Sequence, residues 1–194
     1  MVHNMAKKPL NNFILLPLFL GVTCLVSAGL IAGVNSFTEP VINQRIIDQK
    51  NAGYYKVLGV TTADEPVDKY DTALASKNIT GKKEFSSGTT LIGYVYDVSV
   101  KGYGGDILYQ VGFKDGEFSG FNVITHGETS TYGGIVLAEN GRLIDERIKG
   151  QDVESDLLVL LNGSDNLTVG KSVTRTALVN SLTNCVNDYL TEVQ

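Results

Sequence analysis

Three separated segments carry the residue types that binding a flat, phosphorylated ligand would need: GYGGDI at 102–107, GETSTYGG at 127–134 and DNLTVGKSVTRTAL at 165–178. Glycines let a backbone approach a planar ring, and Tyr103 and Tyr132 offer faces for stacking. The start of a helix offers unpaired N–H groups and a favourable dipole to a phosphate, here assisted by Lys171 and Arg175. A flavin nucleotide answers that description. Each segment alone is an ordinary turn or cap, so only their combination points to a site.

Other chemistries fare worse. His126 is the only histidine beyond the amino-terminal tail, and no G-x-S-x-G elbow accompanies it, so it reads as a loop histidine at a strand end rather than a triad base. The acidic pairs Asp64–Glu65, Asp145–Glu146 and Glu154/Asp156 lack the ligand spacing of a calcium loop. KGYGG at 101–105 has alternating strand residues on both sides, not the strand-GxGxxG-helix setting of a dinucleotide fold. Cys24 and Cys185 are expected to be packing residues and not a disulfide. No catalytic residue and no metal ligand set is assigned.

The elements that must position these segments divide at a membrane. The chain has 194 residues and a formal charge of −5, which argues against a nucleic-acid partner. Residues 13–34 contain no charged side chain, and such a run is long enough to cross a bilayer and too long for a typical cleaved signal peptide. The expected organisation is a cytoplasmic tail at 1–12, a transmembrane helix at 13–35 and an extracytoplasmic domain at 36–194. Lys7 and Lys8 before the span and Glu39 after it set that orientation. The acidic outer domain disfavours a lipid-binding surface of its own.

Ser36 or Thr38 is expected to cap a second, membrane-proximal helix that runs to about Val57, with Val41, Ile42, Ile46 and Ile47 at helical spacing. Residues 59–88 read as loops around one short element. From Thr89 the period becomes two: Ile92, Tyr94, Tyr96, Val98 and Val100 form one set, and Ile107, Tyr109, Val111 and Phe113 another. Lys114-Asp115-Gly116-Glu117 predicts the turn of an antiparallel hairpin over 107–125. A helical stretch ending in ERIKG, a short apolar strand at 157–161 and an amphipathic helix from Ser172 complete an α+β domain.

In this order and spacing the chain resembles the membrane-anchored FMN-binding subunits of Rnf and sodium-pumping NADH:quinone oxidoreductase complexes, RnfG and NqrC. The resemblance covers nearly the whole chain. It rests on one amino-terminal span, T-x-P-V-I at Thr38 to Ile42, GYGG-x-I at Gly102 to Ile107, and the K-D-G hairpin. It also rests on a loop similar to the family's E-T-P-G-L-G and a terminal segment similar to its S-G-A-T-x-T-S.

The resemblance implies an antiparallel sheet with flanking helices around FMN, the flavin phosphate joined to a hydroxyl as a phosphodiester. Ser172 falls on the family's acceptor threonine, Gly170 on its glycine and Thr174 on the next hydroxyl, with Lys171 and Val173 around them. Glu128 and Thr129 match the other loop, Tyr132 stands where that family has an apolar residue, and Tyr103 and Gly104 belong to GYGG. Implied partners are the other membrane subunits of an Rnf/Nqr-type complex and a flavin transferase for maturation. Because the span holds no ionisable residue, the chain would relay electrons while partner subunits move the ion. The alternatives are a stand-alone surface flavoprotein that reduces an extracellular acceptor, and a non-redox assembly subunit.

Overall fold

The computed structural model describes residues 12–61, 65–129, 133–161 and 172–193. The chain divides into two compact units, Met1–Arg45 and Ile46–Gln194. A helix, α1, occupies Asn12–Leu58 and contains Pro17 and Pro40. In the first unit its apolar side chains, among them Leu16, Leu25 and Ile31, are exposed, and the helix is long and apolar enough to cross a membrane. Thr23, Ser36 and Thr38 donate their hydroxyls back to the carbonyls of Leu20, Ala32 and Val34. Such back-bonding hides polar groups inside a helix. It is also why Ser36 and Thr38 do not cap a second helix as expected: both sit within α1.

The second unit is a meander. Strands β1 (Val67–Asp68), β2 (Ile79–Ser87), β3 (Thr90–Lys101), β4 (Asp106–Lys114) and β5 (Glu117–His126) form one sheet in that order, all antiparallel. The hairpin between β4 and β5 turns through Asp115 (φ 53°) and Gly116 (φ 82°), the positive pair that a tight hairpin turn needs. Helices α2 (Gly133–Ile148, interrupted by non-helical backbone at Ala138, Glu139, Asn140 and Gly141), α3 (Leu157–Leu160) and α4 (Ser172–Val193) follow, α2 along β5 and α4 against β3. One face of the sheet buries Tyr96, Val98, Tyr109, Phe113 and Phe121 with Ile144 of α2 and Leu178, Leu182 and Cys185 of α4. The other packs Phe85 and Val95 against Tyr54, Val57 and Leu58. The fold class is α+β, as expected from the sequence.

Three local expectations are corrected. Residues 59–88 hold β1, β2 and a short 3₁₀ helix, Thr72–Lys77, where loops around one short element were predicted. In β2 a bulge between Ile79 and Gly81 breaks the alternation, and the inward residue at its centre is a lysine, so the apolar signal of a strand is missing. Ile92 leaves the face of Tyr94 and Tyr96: the pairs Phe85–Gly93 and Ser86–Leu91 leave it as an extra residue, and it packs on the Tyr54 side. Residues Leu157–Leu160 form a helical turn and not a strand, because the Asp156 carboxylate accepts from the Leu158 N–H and caps it. Cys185 is buried in the core as expected, whereas Cys24 lies exposed on α1.

Lys82, only 2% exposed, holds α4 to the sheet. Its Nζ lies 2.6 Å from Asp188 and 2.7 Å from Glu192, between the rings of Tyr94 and Tyr96. The Tyr96 hydroxyl donates to the same Asp188 at 2.9 Å. Burial, reinforced by Asp188, pushes the Tyr96 phenol well above its ordinary value, so it stays a donor. A buried ion is tolerable only when fully paired, and removing one partner strands the other. Lys82→Met, which keeps the aliphatic stem but not the charge, should therefore destabilise the domain by about 3 kcal/mol. Denaturation of the full-length protein in detergent, followed by tyrosine near-UV circular dichroism, measures it; a loss below about 0.5 kcal/mol would make the pair an ordinary surface bridge.

Candidate functional site

The site forms at one end of the sheet, where the loop from β3 to β4, the exit of β5 and the start of α4 meet. The β3–β4 loop closes on itself through Gly102 N–H to the Gly105 carbonyl at 2.8 Å. The chain leaving β5 is tied to it by Gly127 N–H to the Asp106 carbonyl at 3.0 Å. Glu128 then turns inward and is only 9% exposed. Its Oε1 accepts from the Gly104 N–H at 3.1 Å and from the Thr174 hydroxyl at 3.0 Å. The Thr174 oxygen in turn accepts from the Tyr103 N–H at 3.4 Å. One carboxylate oxygen thus joins the three segments singled out in the sequence.

The glycines are explained by this packing and not by a ring pressed against them. A Cβ on Gly102 would collide with Glu128 Oε1 and would lie 2.8 Å from Ile107 Cδ1; one on Gly104 would lie 2.8 Å from the Gly127 carbonyl. The space beside them belongs to the protein's own chain. Among the described residues at this end of the sheet, Tyr103 is 82% exposed and Val173, in the first turn of α4, is 52% exposed. The opening amides of a helix have no intrahelical acceptors, so the start of α4 brings backbone donors close to Tyr103, whose own N–H lies 3.4 Å from the Thr174 hydroxyl.

Among the expected site residues, Tyr103, Gly104, Glu128 and Thr174 are brought together. Ser172 is the first residue of α4, and Val173 projects from the same turn. Thr129 is exposed and accepts the Gly134 N–H through its carbonyl at 3.0 Å. Tyr132, Gly170 and Lys171 lie outside the described residues. His126 closes β5 opposite Ile107, at the strand end where it was expected, and its Nδ1 is buried with no hydrogen-bond partner among the described residues.

The sequence reading missed a second polar cluster, on the opposite face of the sheet. Asp97, 5% exposed, accepts from Tyr54 at 2.8 Å, from Gln110 at 2.9 Å and from Lys50 at 3.4 Å. The available signal was a lone aspartate inside the apolar run YVYDVSV at 94–100. Asp97 fastens residues 46–58 of α1 to the sheet and lies apart from the β3–β4 loop.

Fold and site together define an α+β domain that follows a long apolar helix and gathers three loop segments around one buried glutamate. No protein-family model matches the chain. It is similar to the G subunit of the proton-translocating ferredoxin:NAD(+) oxidoreductase complex of Clostridium ljungdahlii, 27% identical over 197 residues that cover 96% of this chain and 97% of that protein. This full-length likeness supports the RnfG side of the resemblance.

The site geometry makes Gly102 the least replaceable glycine of the loop. Gly102→Ala should displace the Glu128 carboxylate and cost about 1–3 kcal/mol, the usual penalty of overpacking. Chemical unfolding of the full-length protein in detergent checks this, and an unchanged midpoint would show that the carboxylate does not occupy the space beside Gly102.

Proposed function

We propose that this chain is a single-pass electron-transfer subunit of an Rnf-type, ion-translocating membrane oxidoreductase, with FMN carried on its extracytoplasmic domain, residues 36–194. The observation that carries the reading is the convergence of GYGG, the Glu128 loop and the amino terminus of α4 on one oxygen atom. The full-length relationship to the clostridial protein supplies the class of complex. The apolar part of α1 suits a membrane anchor, and Lys7 and Lys8 favour a cytoplasmic amino terminus.

The residues present fit FMN. Tyr103 is exposed and its backbone N–H reaches Thr174 in the opening turn of α4, whose amides suit a phosphate, and the exposed Val173 adds an apolar side chain. Between the two alcohols of that turn, Thr174 is 2% exposed and its hydroxyl is already engaged with Glu128 and Tyr103. That occupancy favours Ser172 as the point of phosphodiester attachment, formed by a flavin transferase. Lys171 and Gly170 precede it in sequence, and Thr129 and Tyr132 border the loop. When bound, FMN supplies reversible redox chemistry; the protein supplies its position and surroundings. Tethering keeps the cofactor from diffusing and holds it at fixed distance from its partners. Ion movement belongs to other subunits, since residues 13–34 carry no charged side chain.

Purification from native membranes tests the reading. Peptide mass mapping should find one FMN-sized adduct on the peptide that contains Ser172. Ser172→Ala should remove it, and the wild-type chain should co-isolate with multi-span membrane subunits. A wild-type chain without flavin, from cells that flavinylate other proteins, would falsify the proposal.

A further inference from the structure

Glu128 is buried, yet its bonds run to the protein. Both donors that reach Oε1 belong to other segments of this chain, one a backbone amide of the β3–β4 loop and one a side chain of α4. Gly102 leaves the room that the carboxylate fills, and the Tyr103 amide is drawn onto Thr174 by the same network. Tyr103, an exposed aromatic residue at this end of the sheet, is therefore flanked by two tethered positions: its own N–H on Thr174 and the following Gly104 N–H on Glu128. With its own amide and the next one bonded, the backbone at Tyr103 is held against the start of α4.

We propose that Glu128 is a positioning residue: by accepting from Gly104 and Thr174 it fixes the backbone that carries Tyr103 against the opening turn of α4, so that this aromatic residue and the helix-start amides meet one cofactor together. The inference rests on the flavin reading above and deepens it. The operative property is the oxygen acceptor at Oε1, which an amide carbonyl can replace, and not the negative charge. A carboxamide at 128 offers the same lone pairs to both donors, and an alanine offers none. Without the acceptor, two donors are left inside the protein to find other partners, and the loop and the helix are free to separate.

Flavin content and visible circular dichroism of the full-length chain, purified from its native membranes, test this across Glu128→Ala, Glu128→Gln, Thr174→Val and Thr174→Ser. Visible dichroism reports how the flavin ring is held, which stability alone does not move. Glu128→Ala and Thr174→Val should each lower the flavin-to-protein ratio at least about threefold, or abolish the visible dichroism of the flavin that remains. Glu128→Gln and Thr174→Ser should keep both near wild type, which also guards against simple misfolding. If Glu128→Ala lowers the unfolding midpoint but leaves flavin content and dichroism unchanged, Glu128 is structural only and the inference is overturned while the flavin reading stands. If Glu128→Gln fails as Glu128→Ala does, charge and not the acceptor is what matters, and the inference is again overturned. A wild-type chain without flavin removes both.

Discussion

A carboxylate inside a protein must find donors, and the fold around Glu128 is shaped by that demand. Its partners lie 24 and 46 residues away in sequence, so satisfying the group draws the β3–β4 loop and the start of α4 to the exit of β5. The absence of side chains at Gly102 and Gly104 is the steric counterpart of the same constraint, since a methyl group at either would push the segments apart. The same carboxylate thereby holds the β3–β4 loop against the start of α4.

The rest of the domain keeps those segments still. α4 is tied near its start through Thr174 and again, more than a dozen residues on, through Asp188 and Glu192 on Lys82. Between these ties Leu178, Leu182 and Cys185 fill the core against the sheet. On the opposite face Asp97 does for residues 46–58 of α1 what Lys82 does for α4, and gathers Tyr54, Lys50 and Gln110. Each face of the meander thus carries an apolar layer with a buried charged group in it, Lys82 on one and Asp97 on the other. Such charges add less to net stability than to geometry, because each tolerates only one arrangement of its partners.

Much of this was legible in the sequence wherever a period or a turn was intact. The β4–β5 hairpin followed from Lys114-Asp115-Gly116-Glu117, and α4 from the spacing of Leu178, Leu182, Cys185, Val186 and Tyr189. The three segments were recognisable by their glycines and hydroxyls, although the reason for the glycines was not: Gly102 and Gly104 make room for Glu128 and Gly127. Hidden from the sequence were features set by long-range pairing. β2 buries a lysine whose partners come from α4, Ile92 changes face at a bulge, and the Leu157–Leu160 run is turned into a helix by Asp156. Ser36 and Thr38 carry the signature of a cap but bond backward within α1.

The functional reading joins a full-length likeness to the clostridial oxidoreductase component with the meeting of three loop segments at Glu128. Its structural premise is that Glu128 and Thr174 act as one link. A double-mutant cycle of Glu128→Ala and Thr174→Val measures that link directly, by urea unfolding of the full-length chain in detergent with tyrosine near-UV circular dichroism as the signal. The account predicts that the paired variant is less damaged than the sum of the two single ones, with a coupling of about 1–3 kcal/mol. Additive losses, with a coupling below about 0.3 kcal/mol, would mean that the two side chains do not hold each other and that the three segments meet for some other reason.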